Sequence, residues 1–298
     1  MKKLLGILFV MLVSTAQARE TVTLVYPWGM GDPMANYSRT LIEVANKQQD
    51  KYIFVLENRP GAGGTIAAKH VQTNSNSILA ASTAFFVRPN FYPDASHDIN
   101  QFRVLMTQCT VPMVISSNQY RSWNDIPRDT PLLTGVSGIG ATTHLIALQI
   151  KQKYPSLTVV PYKSTQESTL DLVGARINLN VGFPQEVAQW ISTGKAHGLG
   201  VTGTRPINNI PTMSSLGYQH MDSMGNGHSL IVNLQVSQAK FQEWRRIFLK
   251  AAQHYSVRQS YELDHCVPMD FDMKQTNSWY TQQTTFWKEQ SKSVQLDK

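Results

Sequence analysis

An apolar run at residues 52–56 stops at the turn Glu57-Asn58-Arg59-Pro60-Gly61-Ala62-Gly63-Gly64, and an Ala-rich helical pattern follows directly. A short strand, a glycine turn and a helix make a βα unit, in which bare N–H groups of the turn and the helix N-terminus can approach an anion or a second element. A purely structural turn is the plainer use of the same residues. The construction occurs three times along the chain, and repetition of this unit restricts the fold to a narrow class.

Short apolar runs alternate with helical patterns throughout. Strands are expected over 21–26, 52–56, 77–81, 131–135, 158–161, 177–181 and 198–201, with one or two more within 102–116. Helices are expected over 34–47, 65–71, 142–153, 166–173 and 184–192. This rhythm predicts an α/β protein of open, mostly parallel sheets with helices on both faces. The last part differs, with a strand over 229–234 and helices over 239–255 and 277–292, a tail expected to return and complete the first domain. Two domains are expected, because roughly 280 residues exceed what one core usually serves.

The first residues read as a signal peptide over 1–18. Lys2 and Lys3 precede an apolar stretch from Leu4 to Val13, and Ala16-Gln17-Ala18 fits the small-residue cleavage rule. That stretch is far short of the roughly 20 residues of a membrane span. Cleavage near Ala18 predicts a periplasmic protein. The chain carries 27 basic and 20 acidic residues, and loss of Lys2 and Lys3 lowers the net charge from +7 to +5. The basic residues are scattered, with no run interleaved with aromatics, which argues against nucleic acid as a partner. Two cysteines, Cys109 and Cys266, are present. Outside the cytoplasm such a pair is expected to form a structural disulfide, since neither lies in a C-x-x-C motif.

Two further loops carry candidate chemistry. Tyr26-Pro27-Trp28-Gly29-Met30-Gly31-Asp32 joins the first strand to the first helix. Its glycines free backbone N–H groups at a helix N-terminus, Trp28 is placed to roof a site, and Asp32 before Pro33 is a favoured capping pair. Gly135-Val136-Ser137-Gly138-Ile139-Gly140-Ala141-Thr142-Thr143-His144 repeats the plan with hydroxyls added, a neutral donor set suited to a carboxylate. A secreted serine hydrolase using Ser137 and His144 is the enzymatic alternative. It fails on spacing, because a nucleophile elbow needs glycine where Ile139 stands. A dinucleotide fingerprint fails likewise at Thr143. The eight His are dispersed without metal-binding spacing, so neither metal nor cofactor is expected.

The 57–64 turn resembles the signature of the tripartite tricarboxylate transporter substrate-binding proteins, the Bug-type extracytoplasmic solute receptors. Val160-Pro161-Tyr162-Lys163-Ser164 with Leu170-Asp171-Leu172-Val173-Gly174, and Gly194-Lys195 with Gly198 to Thr202, Arg205 and Pro211-Thr212, resemble further family segments in the family's order. The resemblance implies a non-enzymatic, two-lobed, periplasmic binding protein-like (Venus flytrap) fold. Its lobes would be residues 19–117 with 227–298, and residues 118–226. It also implies a small organic carboxylate (di- or tricarboxylate, amino acid or aromatic acid) held between the lobes of a monomer. The binding residues would be Trp28, Gly29, Met30, Gly31 and Asp32 of one loop, and Ser137, Gly138, Ile139, Gly140, Ala141, Thr142 and Thr143 of the other. Ser82, Thr83 and Ala84 would form part of the wall, with Arg59 and Arg88 at the rim. The partner would be the membrane permease of such a transporter or, alternatively, a membrane sensor. Departures from the pattern include Met30 for Gly, Ser164 for Gly and Gly182 for Asp; Trp28 and Met30 predict a bulkier, more apolar mouth.

Overall fold

The computed structural model describes residues 18–94 and 96–292. The expected signal peptide, apart from Ala18, lies outside the described residues. The first stretch of chain runs through β1 (Glu20–Tyr26), α1 (Pro33–Lys47), β2 (Tyr52–Asn58), α2 (Thr65–Gln72), β3 (Ser77–Ala81), α3 (Ala84–Phe91) and β4 (Phe102–Val111). The middle stretch holds β5 (Val114–Ser117), β6 (Leu132–Val136), α4 (Thr142–Lys151), β7 (Leu157–Pro161), α5 (Thr165–Val173), β8 (Leu179–Gly182), α6 (Pro184–Ser192) and β9 (His197–Val201). The chain ends through β10 (Asn226–Asn233), α7 (Gln238–Ala252), α8 (Tyr255–Leu263), β11 (Val267–Pro268) and α9 (Met273–Lys292).

Two sheets result. The first has the order β11-β4-β10-β3-β1-β2, the second β7-β6-β8-β5-β9. β1 pairs parallel with β2 and β3, and β6 pairs parallel with β7 and β8. In each sheet one internal strand runs against its neighbours, β10 between β3 and β4, and β5 between β8 and β9. These are the strands the chain enters on crossing from one sheet to the other. This is a two-lobed α/β architecture, with each lobe an open sheet of mostly like-directed strands flanked by helices.

Sheet membership shifts the expected lobe boundary. The apolar stretch 102–116 breaks at Pro112, which has no N–H for a ladder. Val111 still pairs with Asn226 in the first sheet, whereas Val114 pairs with Gly182 in the second. The first crossing therefore lies at 112–113 and not after Ser117. Asn226 likewise opens β10 in the first sheet.

Local sequence explains most elements. Asp32 caps α1 by accepting from Met34 N (2.8 Å), Pro33 takes the first helical position, and Met34, Tyr37, Leu41 and Ala45 bury one face at helical spacing. The helix expected over 239–255 ends at Ala252, because His254 caps a new helix by accepting from Ser256 N. Cys109 of β4 and Cys266 form a disulfide with a Cα–Cα distance of 5.4 Å, fastening the two-residue edge strand β11 to the sheet.

Candidate functional site

Parallel strands all point their C-terminal ends the same way, so the loops and helix N-termini that follow them converge. Here β1, β3, β6, β7 and β8 lead into α1, α3, α4, α5 and α6, and the junctions from both sheets line one cavity of about 370 Å3. A second cavity of about 360 Å3 adjoins it and shares Trp28, Gly29, Pro60, Ser137, Ala141 and Lys163. The two form a continuous cleft, large enough for a small organic molecule.

The first wall is the β1–α1 loop. Trp28 and Gly29 line both cavities, and Gly31 and Asp32 line the inner one. The glycine turn after β2 holds this loop in place. Asn58 Nδ2 donates to Tyr26 O (3.1 Å) and Trp28 O (2.6 Å), and Arg59 N donates to Tyr26 O (2.9 Å). Pro60 reaches both cavities, and Gly61, Ala62 and Gly63 line the outer one. Gly63 sits at φ +58°, and a Cβ there would stand 2.6 Å from Arg88 Nη1. Glycine takes this left-handed backbone without strain, and a side chain there would have to displace Arg88. The turn thus braces the site and also forms part of its outer wall.

The opposite wall is the β6–α4 loop. Ser137 and Ala141 line both cavities, Gly138, Ile139 and Gly140 the outer one, and Thr142 and Thr143 the inner one. Ser137 N donates to Thr143 Oγ1 (2.9 Å), and the two hydroxyls lie 2.9 Å apart. No side chain caps α4 at Ala141, so the partial positive charge of its N-terminus faces the cleft unopposed. Among the described residues, two hydrogen bonds cross between the walls. Arg88 Nη1 donates to Ile139 O (3.1 Å), and Thr142 Oγ1 donates to Asn226 Oδ1 (3.4 Å).

Two expected residues stand apart. Met30 is 36% exposed and lines neither cavity, its carbonyl accepting from Arg39 Nη2, so it does not narrow the mouth. Thr83 is buried and structural. Its Oγ1 donates to Gly225 O (3.3 Å) and accepts from Gly227 N (2.8 Å), tying α3 to the start of β10. Ser82 and Ala84 on either side do line the inner cavity. Arg88 reaches the outer cavity, whereas Arg59 pairs with Glu57. The hydrolase alternative loses its geometry, because Ser137 bonds Thr143 and His144 Nδ1 accepts from Gly140 N (3.2 Å).

The inner cavity also takes residues that were not among the expected binding residues. Lys163, Ser164, Thr165, Gln166 and Glu167 come from the β7–α5 junction, Phe183 and Glu186 from the β8–α6 junction, and Asn226 and His228 from β10. The first two groups carry the same strand-to-helix signal as the loops that were recognised. Burial dominates the titration of this region. It raises Glu186 to about 7, Asp32 to about 6 and Asp264 to about 6, with repulsion from Asp32 adding at Glu186 and Asp264. It lowers His228 to about 3, leaving that ring neutral.

Two sheets joined by two crossings, with helix N-termini from both converging on a cleft, define a solute-binding protein of the two-lobed periplasmic type. The chain belongs to the tripartite tricarboxylate transporter family receptors, whose family model matches residues 38–289. It is 24% identical over 233 residues to the UPF0065 protein in the tcbD-tcbE intergenic region of Pseudomonas sp. (strain P51), covering 72% of this chain and 69% of that one. Among solved structures, the periplasmic binding protein BugD superposes with a TM-score of 0.80 at 22% identity, covering 93% of this chain and 98% of that one. Rpa4515 of R. palustris, solved with adipate, gives 0.80 at 19% identity, covering 93% and 98%. MatC (Rpa3494) of Rhodopseudomonas palustris, solved with malate, gives 0.77 at 15% identity, covering 91% and 99%. Membership of that family makes the chain a solute receptor and not an enzyme.

Proposed function

We propose that this protein is a periplasmic receptor that binds a small organic carboxylate in the cleft between its two sheets and delivers it to the permease of a tripartite tricarboxylate-type transporter. One observation carries the reading. The uncapped N-terminus of α4, with Ser137, Thr142 and Thr143 beside it, faces a cavity of about 370 Å3 walled by both sheets. Backbone N–H groups and hydroxyls aimed at one carboxylate give strong charge-assisted bonds in a partly dry cleft. The adipate and malate complexes of structurally similar proteins support the ligand class. Binding would draw the lobes together about the crossings at 112–113 and 202–225, a hinge closure that a membrane partner can read. Both walls come from one chain, which supports action as a monomer. Cleavage near Ala18 would release it into the periplasm.

The test is a thermal-shift and calorimetric screen of the protein from Arg19 onward, refolded to remove co-purified ligand, against small carboxylic acids. An acid at about 100 times its dissociation constant adds about 2.7 kcal/mol of stability, a shift of a few degrees. Ser137→Phe should abolish that shift while the protein stays folded. Silence across the acids, or unchanged affinity in Ser137→Phe, would overturn the reading.

A further inference from the structure

Helix α3 of the first lobe reaches across the cleft to the β6–α4 loop of the second. Arg88 Nη1 donates to Ile139 O (3.1 Å), and the guanidinium lies over the Tyr92 ring, 4.4 Å from its centroid. One turn further along α3, Phe91 packs against His144 of α4, with ring centroids 5.7 Å apart. His144 Nδ1 in turn accepts from Gly140 N (3.2 Å). The peptide group between Ile139 and Gly140 is therefore held at both ends, its carbonyl by Arg88 of one lobe and its N–H by His144 of the other.

That peptide is the one most able to turn. Ala141 N donates to Gly138 O (3.3 Å), so residues 138–141 form a β-turn with the 139–140 peptide at its centre. Gly140, the third residue of the turn, sits at φ +79°, the type II value. The type I form differs by a flip of the central peptide, and glycine at the third position is comfortable in both. The bonds between Ser137 and Thr143 tie the ends of the loop together without fixing which way this peptide faces. The first lobe is shaped for the contact that does. Arg88 passes over Gly63, where a Cβ would stand 2.6 Å from Nη1, and a Cβ at Gly140 would meet Phe91 Cδ2 at 3.7 Å and Arg88 Cα at 3.8 Å.

We infer that the β6–α4 loop takes its binding shape against the opposite lobe, with Arg88 as the positioning residue that selects one face of the 139–140 peptide. The inference takes the cleft as the ligand site. Ser137 stands just before this turn and Thr142 and Thr143 just after it, so the facing of the peptide sets the direction in which their donors meet a ligand. When the lobes part, Arg88 leaves Ile139 O and the turn regains its second state. Closure then orders the donor set as well as enclosing the ligand, which links the two events energetically.

Amide hydrogen exchange of the ligand-free protein tests this, and because no ligand is used its outcome is separate from that of the carboxylate reading. In Arg88→Met the Gly140 N–H should exchange at least about tenfold faster than in the parent, the scale of one hydrogen bond from a charged donor. Amides of β6 and β8 should keep their rates. Gly63→Ala leaves the arginine in place but crowds it away from Ile139 O, and should give the same local increase. The double variant should be no faster than Arg88→Met alone, since both changes remove one contact. Unchanged Gly140 exchange in either single variant would overturn the inference. So would an increase spread evenly over β6 and β8, which marks a general loss of stability, or additive effects in the double variant.

Discussion

Glu186→Gln in the ligand-free protein should change the pH dependence of stability in a direction fixed by burial. The Glu186 carboxyl stands at about 7 in the folded protein against an ordinary value of 4.5. Below the lower value both folded and unfolded chains are protonated there, and burial carries no ionic cost. As pH rises, the unfolded chain releases its proton first, so the folded state loses stability progressively and the loss is complete above the folded value. That displacement amounts to at most about 3 kcal/mol, of which about 2 kcal/mol develops between pH 5 and pH 8. Gln keeps the Thr165 hydrogen bond and removes the titration. The groups facing Glu186 are Thr165, Asp32 and Asp264, with Lys163, Glu167 and neutral His228 on the same cavity, and all persist in the variant. Urea unfolding of both proteins at pH 5 and pH 8 isolates the effect, because the other groups cancel in the difference. The variant should gain about 2 kcal/mol relative to the parent between the two pH values. An unchanged difference, or a variant that loses ground at pH 8, would refute the argument from burial.

Removing the disulfide with Cys109→Ser and Cys266→Ser should cost about 3 to 5 kcal/mol, since the bridge closes a 157-residue separation and anchors β11; an unchanged melting temperature would show that it contributes nothing. Asn58→Ala removes the two bonds that hold Tyr26 and Trp28 carbonyls. It should cost about 1 kcal/mol and weaken ligand binding severalfold, and calorimetry showing full affinity would remove the glycine turn from any role in bracing the cleft.

The alternation of strand and helix patterns already implied the sheet class, since each apolar run of five or so residues between helical periods has few other ways to be buried. Tyr52 to Leu56, Ser77 to Ala81 and Pro184 to Ser192 fall where local pattern puts them, because a glycine turn or a proline at the first helical position bounds them. Helix α3 was not legible, with Pro89 interrupting its pattern, and packing of Phe85 and Phe86 from its first turn into the core holds it in place. The loops after β1 and β6 were legible as cleft walls because Gly, Ser and Thr before a helix state an available donor set locally. Glu186 lies at the same kind of junction and was passed over because a charged residue near a helix N-terminus is ordinary in isolation.

His228 and Asn226 mark the limit. They reach the cavity from β10, whose place between β3 and β4 is fixed by pairing across more than a hundred residues of chain. Periodicity states which residues can form a strand and which face is apolar; it carries no register with a distant partner. The sequence by itself therefore determined the α/β class, the repeated strand–glycine–helix units and the donor chemistry of two loops. Only the tertiary structure decided that Asp32 and Glu186 line one cavity, because that depends on how two separately assembled sheets face one another.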